Sequence, residues 1–377
     1  MKNPTSYQQK WQKALENRKS EGLYRSLKTT SNLIDFSSND YLGLARNEEL
    51  HEIVANAYNA ISYRNKLGST GSRLISGNHT YFEETEALLA NTHLAESALL
   101  FNTGYMANLA VFSTLPKKGD TILYDELCHA CIKDGIRLGL AHRFPFLHND
   151  LESLESKLKK TSGQTYVAVE SVYSMHGDVA PLAEMADLCT RYNAILVVDE
   201  AHSTGVYGQK GAGIVCDLGL EEKIPIRIHT FGKAIGAHGA AVVGSKTLSE
   251  YLVNFARPFI YTTAMSLHSV VNICEAYHYL ANHAELQENI TNKIQLFKSL
   301  MKGHNVLCNS DTPIQAILAA GNDEAKAKAN LLQENGFDIR PILSPTVKKG
   351  SERLRVCLHV HNSIQDLENL AKIIRRF

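Results

Sequence analysis

Short apolar runs alternate with helical patterns through the middle of the chain, and this alternation limits the fold more than any other feature. Residues 98–101, 121–124, 166–170, 195–199, 226–230 and 240–244 are runs of four or five residues with apolar character on both faces. Such runs predict strands buried between helices, hence an α/β fold with a mainly parallel central sheet flanked by helices. Residues 48–63, 79–94 and 106–114 carry helical spacing. The first 45 or so residues read as a polar helix followed by an extended arm. From about Ser266 the pattern becomes a long helix, then a mixed region ending in a strand at 353–359 and a helix at 364–375. The expected division is an N-terminal helix and arm (1–45), a large α/β domain (46–265) and a smaller C-terminal α+β domain (266–377).

Composition excludes several classes. Lys+Arg and Asp+Glu both number 39, so the formal charge is zero, which argues against nucleic-acid or membrane-surface partners. No run approaches 18 apolar residues, and the polar N-terminus carries no signal-like stretch, so a cytoplasmic location is the default expectation. The seven cysteines, an odd number scattered over 377 residues, read as reduced thiols. Cys128 and Cys131 have C-x-x-C spacing, but no second ligand pair accompanies them, and Ile132 stands where haem attachment needs histidine. No metal site is expected.

In open α/β sheets ligands bind beyond the carboxyl ends of the strands, so polar residues that follow the apolar runs carry the chemistry. Asp199 and His202 end one run; a carboxylate there could bind a metal, pair with a base or hold a protonated ring nitrogen. The letters D-E-A-H also occur in helicases, but no G-x-x-x-x-G-K-[ST] loop is present. His229-Thr230-Phe231-Gly232-Lys233 ends the next run, and a lysine buried beside glycine there would have the lowered pKa that covalent imine chemistry needs. Alone, such a lysine is usually a surface residue. Asn102-Thr103-Gly104-Tyr105 opens a helix and suits either a phosphate or a plain cap. His129 follows another run and could stack on an aromatic ligand.

Four segments in order, Ser37-Ser38-Asn39-Asp40-Tyr41-Leu42-Gly43-Leu44, Gly68-Ser69-Thr70-Gly71-Ser72-Arg73, Asp199-Glu200-Ala201-His202-Ser203-Thr204-Gly205 and Thr230-Phe231-Gly232-Lys233, resemble the α-oxoamine synthases. These are a branch of the pyridoxal-phosphate (PLP) dependent transferases of fold type I. The resemblance runs from about Asn32 to the C-terminus. It implies that Lys233 carries pyridoxal 5'-phosphate as a Schiff base and shuttles the α-proton, and that Asp199 pairs with the pyridinium nitrogen. It implies that His129 stacks on the ring, and that His202 and Ser174 reach its phenolic oxygen. Thr103, Gly104, Tyr105 and Thr230 match the phosphate cradle, while Thr262 and Thr263 match hydroxyls contributed by the partner of a homodimer with a shared site. Asn39 and Arg355 match substrate contacts, Arg355 as the fork for the amino-acid carboxylate.

Phe36, Gly239-Ala240-Ala241, Phe255-Ala256-Arg257-Pro258 and Pro345-Thr346-Val347 favour the biotin-pathway members, which condense L-alanine with a pimeloyl thioester of CoA or an acyl carrier protein. His176 stands where many members have aspartate, and Arg340-Pro341-Ile342-Leu343-Ser344-Pro345 displaces an arginine from its usual place. A sibling acyltransferase joining glycine or serine to another acyl-CoA is the alternative, followed by a non-catalytic homologue and by a metal hydrolase using Asp199 and His202. The glycines at 205, 208, 211 and 213 follow no G-x-G-x-x-G pattern.

Overall fold

The computed structural model describes residues 6–27, 29, 32–62, 67–304 and 310–377. Its strands are β1 (Ile34–Asp35), β2 (Ser97–Phe101), β3 (Thr121–Asp125), β4 (His142–Phe146), β5 (Thr165–Glu170), β6 (Ala194–Asp199), β7 (Ile226–Thr230), β8 (Ala240–Gly244), β9 (Ile314–Leu318), β10 (Phe337–Asp338), β11 (Arg340–Ile342) and β12 (Arg353–Cys357). The first five helices are α1 (Ser6–Ser20), α2 (Glu48–Ala60), α3 (Thr80–Thr92), α4 (Gly104–Thr114) and α5 (Ala130–Leu138). No helix among the described residues is long and apolar enough to cross a membrane.

The central sheet has the order β2-β8-β7-β6-β5-β3-β4. Pairings between β4, β3, β5, β6 and β7 are parallel; only β8 runs against both its neighbours. Val167–Glu170 of β5 and Leu196–Asp199 of β6 are buried throughout, as strands covered on both faces require. Each large apolar side chain fully buried in this layer contributes about 1.5–3 kcal/mol against leaving it in water. The six expected central strands are all present. The edge strand β4 adds a seventh that lacks their signature: His142, Arg143, Phe144 and Pro145 are all exposed.

The C-terminal sheet is antiparallel, β11-β12-β9. The arm is built into this region: β1 pairs parallel with β10, and Phe36 O and Tyr41 O accept from Cys357 N–H and Val360 N–H, each at 2.9 Å. The helix Leu267–Asn282 packs on α2 and α3. The helix expected to reach Tyr63 ends at Ala60, and Tyr63 itself lies outside the described residues. The strand expected over 353–359 stops at Cys357, where the chain turns to meet the arm.

Candidate active site

The parallel strands deliver their last residues to one edge of the sheet. Glu170 and Asp199 are register partners at the ends of β5 and β6, and Thr230 closes β7. Three residues on, Lys233 starts a tight turn in which Gly236 N–H donates to Lys233 O at 2.9 Å. Gly236 has φ +66°, and a Cβ there would lie 2.4 Å from Ala45 N, so glycine lets the arm press on the lysine turn. Burial lowers the Lys233 pKa, partly offset by the negative charge of Asp199 and Glu170. With the pKa lowered to about 8, a fraction of the lysine is the neutral amine near neutral pH.

Asp199 is 5% exposed, and its carboxylate is fully oriented. Oδ1 accepts from Ala201 N–H at 2.9 Å and Oδ2 from Asn108 Nδ2 at 2.7 Å. Asn108 also donates to Gly104 O at 3.0 Å, tying the carboxylate to the start of α4. Glu170 is the second buried acid: burial, then Asp199, pushes its pKa up, while Oε1 accepts from His129 N–H at 2.6 Å. The sequence reading missed both Asn108 and Glu170. Glu170 carried the same strand-end signal as Asp199; Asn108 is a polar residue within a buried helical stretch.

Thr103 caps α4 through Oγ1, which accepts from Met106 N–H at 3.2 Å. The cap leaves the first-turn N–H groups of Gly104 and Tyr105 directed out of the helix. A Cβ on Gly104 would lie 2.3 Å from Thr230 Oγ1, so only glycine lets the Thr230 hydroxyl close against the helix start. Tyr105 is exposed and donates to Asp134. Asn102 Nδ2 donates to Thr263 O at 2.9 Å, which brings Thr262 and Thr263 beside this cradle within the same chain. The neighbouring Tyr261 is 73% exposed.

His129 presents an exposed ring at the start of α5, where its own Nδ1 caps the helix by accepting from Cys131 N–H at 3.2 Å. The Cys131 thiol lies 2.9 Å from the same nitrogen. A backbone N–H can only donate, so the neutral ring carries its proton on Nε2. Protonation of Nδ1 would oppose two donors, and although the ring keeps an open face, the protein packed around the rest of it removes enough solvent to lower the His129 pKa.

The facing wall comes from the arm and β12. Arg355 donates through Nη2 to Asn39 Oδ1 at 2.8 Å and through Nε to Ser174 O at 2.6 Å. Tyr41 is fully buried, and its hydroxyl meets His202 Nδ1 at 2.8 Å and Asn39 Oδ1 at 3.1 Å. Beyond His129 and Ser174 opens a cavity of about 850 Å³ lined by Leu127, Tyr173, Met175, Pro345 and Val347, with Lys133, Lys348 and Lys349 also on its wall. Under it His148 bridges Asp125 at 3.0 Å and Asp178 at 2.5 Å; these bonds, working against burial, raise its pKa to about 9. The displaced Arg340 pairs with Asp338 at 2.8 Å.

Asp35, His359 and His361 bring side-chain ligand atoms within 4.8 Å of one another. Asp35 already takes the Ser37 and Ser38 N–H groups and the Arg46 guanidinium at 2.8 Å, while His359 faces Ser38 O and Asn362 Oδ1. With that cation seated on its only carboxylate, the cluster tethers the arm.

An anion cradle at a helix start, a flat imidazole, an oriented buried carboxylate and a lysine of lowered pKa fit a planar cationic ring bearing a phosphate and an aldehyde. The aminotransferase class I and II family profile matches residues 31–374. The 8-amino-7-oxononanoate synthase of Emericella nidulans is 37% identical over 366 residues, covering 91% of this chain and 89% of its own. A solved 8-amino-7-oxononanoate synthase from Francisella tularensis is 28% identical with a TM-score of 0.79, over 91% of this chain and 97% of that one. A structure of SPT (serine palmitoyltransferase) with a PLP internal aldimine reaches a TM-score of 0.89 at 25% identity, over 100% of this chain and 98% of that one.

Proposed function

The chain belongs to the aminotransferase class I and II family and, within it, to the α-oxoamine synthases; from that premise we propose that Lys233 anchors pyridoxal phosphate in a site that joins a small α-amino acid to an acyl thioester. The observation that carries this reading is the convergence of Lys233, Asp199 and His129 with the Thr103–Gly104–Thr230 cradle. Bound there, pyridoxal phosphate supplies the electron sink that makes the amino acid's α-carbon nucleophilic.

The residues divide the remaining work. The N–H groups of Gly104 and Tyr105, with the hydroxyls of Thr103 and Thr230, would hold the phosphate. Asp199, aimed by Asn108 and Ala201, would pair with the ring nitrogen. Lys233 Nζ takes the α-proton and later returns one. Arg355 and Asn39 hold the amino-acid carboxylate, and His129 Nε2–H donates to that carboxylate or to the thioester oxygen. A carbon–carbon bond forms between the α-carbon and the acyl carbonyl, the carbon–sulfur bond breaks to release thiol, and the carboxylate leaves as carbon dioxide.

Two finer readings have support. Sequence relatives named 8-amino-7-oxononanoate synthase favour L-alanine with a pimeloyl thioester of CoA or a carrier protein. The higher TM-score of SPT, 0.89 against 0.79, favours a sibling that takes serine or glycine with another acyl chain. The resemblance to the family, together with an exposed Tyr261 next to Thr262 and Thr263, supports a homodimer; within one chain those two threonines lie beside their own cradle. The test is product analysis with alanine, glycine and serine against short, dicarboxylic and long acyl thioesters, alongside an absorbance spectrum. Turnover of one pair by a yellow protein is expected. A colourless protein with no turnover of any pair overturns the family-level reading.

A further inference from the structure

Tyr41 joins two parts of the site that the mechanism treats separately. Its hydroxyl lies 2.8 Å from His202 Nδ1, 3.1 Å from Asn39 Oδ1 and 3.4 Å from Arg355 Nη2. Arg355 Nη2 also donates to Asn39 Oδ1 at 2.8 Å. Tyr41 and His202 are both buried, so the Tyr41 hydroxyl and His202 Nδ1 need their partners inside this group. The phenol has one proton, and burial pushes its pKa far up, so it remains a donor. Asn39 Oδ1 is already supplied by Arg355. The Tyr41 oxygen itself faces the guanidinium, which makes it a better donor and a poorer acceptor. Its proton is best placed on the shorter contact, His202 Nδ1.

We infer that Tyr41 is a positioning residue: it holds His202 as the neutral tautomer with the proton on Nε2, and so links the carboxylate-binding Arg355 to the histidine facing the cofactor's ring oxygen. This inference rests on the proposed pyridoxal-phosphate reading for its second half only. His202 Nε2–H then donates to the ring oxygen and stabilises its negative charge. With the Tyr41 hydroxyl removed, the imidazole proton can move to Nδ1, turning a bare nitrogen lone pair toward that oxygen. Occupation of Arg355 by a substrate carboxylate is felt at His202 through one shared hydroxyl.

Tyr41→Phe keeps the buried ring and removes only the oxygen. In the reconstituted enzyme the variant should still bind pyridoxal phosphate. The pH midpoint of the lysine-bound cofactor's absorbance should rise by about half to one pH unit, the size expected for loss of one neutral hydrogen bond. The amino-acid KM should rise severalfold as Asn39 and Arg355 lose their third partner, which a purely structural residue would not couple to a spectral titration. Independently of the variant, ring-¹⁵N histidine labelling of the wild-type protein, with and without pyridoxal phosphate, reads the His202 tautomer, its signal identified by loss in His202→Gln. A protonated Nδ1 in the wild type, or an unmoved absorbance midpoint in Tyr41→Phe, overturns the inference. A wild type that takes up no pyridoxal phosphate defeats the proposed function instead, and the tautomer measurement still decides the role of Tyr41.

Discussion

The two walls of the site are held in different ways. One is the carboxyl edge of the central sheet, where Glu170, Asp199 and Thr230 take their positions from strand register and Lys233 follows three residues later. The other consists of Asn39, Tyr41 and Arg355, joined by side-chain hydrogen bonds between groups more than 300 residues apart. The sheet edge is fixed by the cooperative packing of the core, so its chemistry can be demanding without costing order. The polar groups of the second wall are linked to one another by a few contacts, each worth about 0.5–3 kcal/mol. That wall suits the task of adjusting to a substrate. Substitutions on the first wall should therefore abolish chemistry, and those on the second should change affinity.

Lys233→Ala tests the first wall with the largest expected effect. With the anchor and proton carrier gone, kcat should fall by about 10³-fold or more, as for other covalent catalytic residues. The yellow absorbance should disappear while the melting temperature stays near wild type, because no structural hydrogen bond of the sheet edge is lost. A variant that kept both colour and turnover would remove the lysine from the mechanism and erase the contrast between the walls.

Arg355→Lys probes the second wall. A lysine keeps the charge but cannot span Ser174 O and Asn39 Oδ1 with a planar fork. Steady-state kinetics should show the amino-acid KM rising by about 10- to 100-fold, the equivalent of one or two charge-assisted hydrogen bonds. The change in kcat should be much smaller. A loss confined to kcat would place Arg355 in the chemistry and not in binding.

The difference between the walls also explains what was legible in the sequence. Asp199, Thr230 and Lys233 end apolar runs whose periodicity identifies the strands, so local pattern and chemistry point to the same positions. Glu170 ends such a run as well, yet a lone carboxylate there gives no hint that it takes His129 N–H. Asn108 lies one helical turn beyond Gly104 on a buried face, a placement visible only once α4 packs on β7 and β8 and brings its amide to Asp199. β4 was unreadable because an exposed edge strand containing Pro145 has neither apolar continuity nor alternation. The pairing of the arm with β10 and β12 joins segments some 300 residues apart, and nothing local encodes it. Asn39 and Arg355 were reached by resemblance alone, and the hydroxyl that links them to His202 was not reached at all.

The turn 173–178 supports the second wall, since Arg355 and Arg353 donate to Ser174 O and Met175 O. Asp178 of this turn is held by His148, whose pKa rises from 6.5 to about 9 on folding. A raised folded pKa means its stabilisation is fully present below about pH 6.5 and is lost as pH climbs through 9. Thermal melts should show Tm falling by a few degrees between pH 6.5 and 9.5, and His148→Gln should flatten that slope. The amino-acid KM should drift upward over the same range. Equal slopes for wild type and variant would detach this cluster from the stability of the wall.

The smallest effect expected is at the junction of the walls. His129 belongs to neither, since α5 carries it on the loop after β3, and its orientation depends on Nδ1 accepting from Cys131 N–H and lying beside the Cys131 thiol. Burial raises the pKa of that thiol, so it stays protonated and can act as the second donor. Cys131→Ala removes this donor and leaves the backbone one, so the ring keeps its tautomer but loses part of its restraint. One hydrogen bond of about 1 kcal/mol corresponds to about fivefold in kcat/KM. Cys131→Ser supplies a hydroxyl at the same place and should recover most of it. If serine and alanine behaved alike, the thiol would serve only to fill space, and the cap from Cys131 N–H alone would account for the geometry of His129.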